Sequence, residues 1–171
     1  MKKIQIRKNC FETNSSSQHT LVITQNATHI TSEEIQTELE YELTYMGYIK
    51  INEHLYFGRR PFRIICSFKD KLFYAIAALI EEENDSIQQE IEGILSKHIP
   101  DFKGLVFEHS DTGFAEDYGK LKEFLEKTKT SIEEFLTNRQ YVIIQDGDEY
   151  NDWAIFKKWI LNTNIVQEIT F

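Results

Sequence analysis

The stretch 69–83 tolerates few environments. Leu72, Phe73, Ile76, Leu79 and Ile80 recur at helical spacing and cover a wide face, and Ala75, Ala77 and Ala78 fill much of the remainder. A helix apolar over so much of its circumference cannot lie on a surface, so other elements must pack around it. Residues 72–80 also form the longest apolar run, about half of what a membrane span requires. A buried helix in a soluble domain is therefore predicted, and no membrane segment.

The rest of the chain supplies elements to surround it. Ile4, Gln5 and Ile6 alternate, and Leu21, Val22, Ile23 and Thr24 are rich in β-branched residues, so both stretches read as strands. Thr31, Ser32, Glu33 and Glu34 have the spacing of a capping box. Behind it Ile35, Leu39, Leu43 and Met46 fall on one helical face, with Gly47 as a left-handed cap. Residues 48–57 alternate and suggest a hairpin about Asn52 and Glu53. Gly58, Arg59, Arg60 and Pro61 mark a turn before a strand over 62–67. Ile87, Ile91, Ile94, Leu95 and His98 stripe a second helix that Pro100 closes. Leu105, Val106 and Phe107 form a short strand. Tyr118, Leu121, Phe124 and Leu125 mark a further helix. Ser131 and Glu134 open a second capping box, and a strand follows over 141–144. Trp153, Phe156 and Ile160 give a last helix, and 165–171 a last strand. These elements mix without the regular rhythm of a doubly wound sheet. The fold class is therefore α+β, with residues 1–171 as a single domain: a mainly antiparallel sheet covered by about five helices.

Composition narrows function. With 171 residues the chain can bury a sizeable core, and two Pro and seven Gly leave little room for linkers. A net charge of −9 disfavours non-specific nucleic-acid binding, because phosphates would be repelled. It suits a host protein with a basic surface or a divalent cation. Cys10 and Cys66 cannot make a disulfide framework or a four-cysteine zinc site. Met1, Lys2 and Lys3 precede a stretch too short and polar for a signal peptide, so a reduced, cytoplasmic setting is expected.

The densest chemistry lies at 13–19, where Thr13, Asn14, Ser15, Ser16, Ser17, Gln18 and His19 stand between apolar anchors. Such side chains hydrogen-bond their own backbone, so a plain turn between strands is one reading. Consecutive hydroxyls and backbone N–H groups in a tight loop also suit an anion such as a phosphate. A serine activated by histidine is a third reading. On an extended strand, however, Ser17 and His19 lie about 6.5–7 Å apart, too far for a direct bond without bending. The run from Phe11 to His19 resembles the N-terminal Phe-Glu-Thr-Asn-Ser-Ser-Ser-x-His segment of a family of small, uncharacterised phage and prophage proteins. That family commonly has Thr where this chain has Gln18. Residues 57–62, the helix from Lys71 to Leu79 and residues 141–150 are similar to its middle and C-terminal parts. The resemblance implies a phage-type protein in the host cytoplasm and carries no settled activity. The Ser16 to His19 stretch is also similar to the strand holding the nicotinamide-binding histidine of diphtheria-like ADP-ribosyltransferases. Those enzymes follow it with glycine, where this chain has Thr20, and no tyrosine pair with a catalytic glutamate stands out downstream. That activity is not carried over.

Other candidates are weaker. Asp146 and Asp148 begin like a calcium loop, but Tyr150, Asn151 and Lys157 stand where the EF-hand pattern needs a carboxylate or amide, glycine and glutamate. A helix cap at Asn151 or Asp152 explains that loop better. Glu108, His109 and Asp111 place three ligand types close together, but a transition metal would need a distant fourth, from His19, His54 or the 146 loop. No metal is predicted, and no cofactor is identified. Arg59 and Arg60, beside Phe57 and Phe62, could clasp a phosphate or stack on a base, or simply face water.

Two functions lead, and a third, a virion or assembly component, has none of the repeat or coiled-coil character that would favour it. The first, which sequence alone favours, is an acidic binding protein occupying a host surface, for instance as an inhibitor of a host defence or nucleic-acid enzyme. The second is a nucleotide- or phosphate-binding enzyme of transferase or hydrolase type, with Asn14, Ser15, Ser16, Ser17, His19, Arg59 and Arg60 at its site.

Overall fold

A computed structural model describes residues 19–44, 46–51, 63–79, 85–107, 120–145 and 165–170. At the centre of the packing is the helix α2 (Phe68–Leu79). Ser67 accepts a hydrogen bond from the Asp70 amide at its start, and Phe68, Leu72, Tyr74, Ala75, Ile76 and Leu79 are buried along it. Around it stand α1 (Ser32–Leu39), α4 (Lys120–Thr128) and α5 (Ile132–Thr137), while α3 (Asp85–His98) packs on α1 and α5. The buried helix expected over 69–83 is thus observed from Phe68 to Leu79, and 80–83 lie outside the described residues.

A four-stranded antiparallel sheet lies beside these helices. Its order is β3 (Arg63–Ile65), β5 (Tyr141–Gln145), β1 (His19–Thr24) and β6 (Ile165–Thr170). Leu21, Ile143 and Ile65 form one row across three strands and enter the main core. Val22, Val142 and Ile144 on the opposite face are buried as well. This is why both strands read as continuous apolar runs instead of alternating. The α+β class with a mainly antiparallel sheet and five helices holds for the described residues.

A smaller sheet departs from expectation. β2 (Tyr48–Ile51) pairs in parallel with β4 (Gly104–Phe107), so its described partner is far along the chain and not the other arm of a hairpin. The hairpin tip at Asn52 and Glu53 lies outside the described residues. The first helix is also shorter than its periodicity suggests. It stops at Leu39, the chain turns, and Leu43 bridges to Ile49 while Met46 stands exposed. Gly47 does adopt a left-handed conformation, φ 86°, but it closes the turn from Thr44 into β2 and caps no helix. The first capping box is complete, with Thr31 and Glu34 bonding each other's backbone. The second is half formed. Ser131 accepts from the Glu134 amide, but the Glu134 carboxylate is committed to Asn138 and His29.

The strand expected at 4–6 and the helix expected at 153–160 lie outside the described residues. No helix among the described residues is long and apolar enough to cross a membrane.

Candidate functional site

Strand register creates the first site of interest. His19 opens β1 opposite Gln145, the last residue of β5, and Gln145 also faces Arg63, the first residue of β3. These three residues form one row at one end of the sheet. With neighbouring strands about 4.8 Å apart, the row spans roughly 10 Å. Asn14, Ser15, Ser16, Ser17, Arg59, Arg60, Asp146 and Asp148 lie outside the described residues, as do Glu108, His109 and Asp111. Among the described residues no group of three or more His, Cys, Asp or Glu could hold a metal ion.

The second site is a polar cluster at the opposite end of β5, and sequence reasoning did not single it out. Lys71 of α2 is fully buried at 0% exposure. Its Nζ donates to the carbonyls of Phe135 and Asn138, each at 2.9 Å, and lies 5.8 Å from the Phe135 ring centroid. The last carbonyls of a helix have no partner within it. Here Lys71 takes two carbonyls at the α5 end, and the Ile30 amide takes that of Thr137. Burial pushes the Lys71 amine down from 10.5 to about 7, since desolvation penalises the charged form.

Outward from Lys71 the cluster becomes a bonded chain. The Asn138 side-chain amide donates to Glu134 Oε1 at 2.7 Å, and Glu134 Oε2 meets His29 Nε2 at 3.0 Å. The hydrogen bond from His29 holds the Glu134 carboxyl below its usual value. A reciprocal pair lies alongside. Glu34 of α1 takes Arg139, just after α5, at 2.6 Å, while Glu134 of α5 takes His29, just before α1. The backbone interleaves in the same way, with the Arg139 amide donating to the Thr28 carbonyl. Lys97 and Glu133 pair nearby at 2.6 Å, and His98 Nδ1 meets Ser32 Oγ at 3.0 Å, joining α3 to the start of α1.

One sequence signal could have revealed Lys71. It stands four residues before Ala75 and three after Phe68, so it falls on the buried side of the most apolar helix among the described residues. A lysine there must find backbone acceptors or a counter-charge. His29 and Arg139 carry no local signal, because each partner lies 105 residues away.

Comparison with protein-family models finds no match, and neither do comparisons with curated proteins and with solved structures.

Proposed function

We propose that this protein binds a small phosphate-bearing ligand, such as a nucleotide, at the sheet end marked by His19, Gln145 and Arg63. The supporting observation is the register that puts these three strand ends in one row. Three segments chosen from sequence for their chemistry join the sheet there. Asn14, Ser15, Ser16 and Ser17 lead directly into His19, Arg59 and Arg60 lead into Arg63, and Asp146 follows Gln145. Hydroxyls and amides suit a phosphate's oxygens, arginines its charge, and carboxylates an accompanying divalent cation. Of the two functions open from sequence, this register favours the ligand-binding one.

A second reading, an acidic protein that occupies the basic surface of a host enzyme, draws on a different observation. Tyr41 is 92% exposed beside Glu40, and Met46 is exposed a few residues on. Large exposed aromatics suit interfaces, and the −9 charge would speed encounter with a basic partner.

Native mass spectrometry of protein purified from lysate tests both. The ligand-binding reading expects a phosphate-bearing mass that is lost on denaturation and absent from the Ser16→Ala/His19→Ala double variant. A ligand-free chain overturns it, and a host protein retained at fixed stoichiometry favours the second reading.

A further inference from the structure

We propose that Lys71 is a pH-responsive clamp that sets how readily the C-terminal end of α5 opens away from α2. The geometry is that of a clamp, because one buried nitrogen on α2 holds two carbonyls at the end of α5. Among the described residues no carboxylate lies within salt-bridge distance of it. The ionisable groups that act on it are Cys66 from the β3–α2 connection, Glu38 from α1, Arg139 from the turn into β5 and Glu134 from α5. Cys66, Glu38 and Glu134 favour its charge, but burial pushes the Cys66 thiol up, Glu38 is bonded to the Lys69 amide and Glu134 to Asn138 and His29. Arg139 opposes the charge. An amine and an ammonium can each donate to both carbonyls, so protonation keeps the contacts but buries a charge.

The direction follows from linkage. The clamped amine titrates at about 7, and the same amine released to water at 10.5. Between those values the opened state holds one more proton, so rising pH favours the closed state. Below about 7 both states are charged and the dependence disappears. The clamp is therefore firm in alkali and weak in mild acid. It is independent of any ligand at the far end of the sheet.

Amide hydrogen exchange reads this directly. An ordinary amide exchanges faster in proportion to hydroxide. At the Phe135 and Asn138 amides the opening constant should fall in the same proportion, so their observed rates stay level from about pH 7 to pH 9. In Lys71→Met they should accelerate normally, while α3 amides accelerate in both proteins. Acceleration at α5 in the native chain overturns the proposal. Level rates at every amide, α3 included, also overturn it, since the opening would then be global. Lys71→Met can fail to fold, and a side-chain NMR titration of the unmodified protein needs no variant. It should give a Lys71 midpoint near 7, and an unshifted midpoint rejects the clamp.

Discussion

Replacing glycine by alanine at two positions should move stability in opposite directions. Gly47 has a φ of 86°, and a Cβ built on it would sit far inside van der Waals contact with the Asp101 carbonyl oxygen. That oxygen belongs to backbone and cannot swing aside. Asp101 is itself left-handed at φ 62°, and the Lys103 amide two residues on donates to the Gly47 carbonyl at 2.8 Å. The left-handed conformation costs an L-residue about 1–2 kcal/mol, and forcing extra volume into a tight contact about 1–3 kcal/mol. Gly47→Ala should therefore lose roughly 2–5 kcal/mol. Gly93 lies inside α3, exposed, with nothing within 4 Å of an added Cβ. There alanine restricts the unfolded chain and favours the helix, a gain of about 0.5–1 kcal/mol. Urea unfolding with parallel slopes is the assay. The midpoint should fall on the order of 1–2 M for Gly47→Ala and rise slightly for Gly93→Ala. A neutral Gly47→Ala, or a shift of the same sign in both, would refute the reasoning.

Phe135 is fully buried and packs on Phe124 and Tyr141 with ring centroids 6.4 and 6.2 Å away. Phe135→Ala should cost about 3–5 kcal/mol in urea unfolding, and Phe135→Leu, which keeps most of the volume, about 1–2 kcal/mol. Because the hydrogen bond from His29 holds the Glu134 carboxyl below 4.5, the contribution of the Glu134 carboxylate is present above pH 4.5 and fades as pH falls through the lowered folded value. Both side chains are more than a third exposed, so His29→Ala should lose only about 0.2–1 kcal/mol at neutral pH. The loss should be absent in strong acid, and a loss that persists there would show that His29 acts through packing instead.

What sequence could and could not reveal divides along local and distant physics. The α2 helix was legible because its apolar face is too wide for any surface position, and the Thr31 capping box because both partners lie within four residues. The helix through Met46 misled for a definable reason. Ile35, Leu39, Leu43 and Met46 keep helical spacing, yet Leu43 meets the core by bridging to Ile49, and periodicity cannot separate these routes to burial. The parallel pairing of β2 with β4 joins Ile49 to Leu105, which no local pattern encodes. The same limit applies to the site. Residue chemistry at 14–19, 59–60 and 146–148 was visible as three unrelated segments, and only the strand register relates the points where they enter the sheet.

That register also sets the distance between the two ends of the molecule's chemistry. β5 begins at Tyr141, whose amide bonds the Asn138 carbonyl that Lys71 also holds, and it ends at Gln145 beside His19 and Arg63. Four residues of extended strand separate the two ends by roughly 13–14 Å. β1 runs alongside in the opposite sense, from His19 at the end proposed to bind a phosphate to Thr24, whose amide bonds the Gln140 carbonyl near Lys71. Both strands are buried on both faces through their middle, so neither can bend without breaking core packing. A proton taken up at Lys71 is therefore too far away to touch a phosphate bound at the proposed site, and the stiff strands between offer no second arrangement to carry its effect. Lys71→Met should leave ligand retention in the native mass spectrum unchanged, and Ser16→Ala/His19→Ala should leave the Lys71 titration unchanged. If either variant altered the other's readout, the strands would have to act as a mechanical link, and the α5 opening would then be the element that both ends bias.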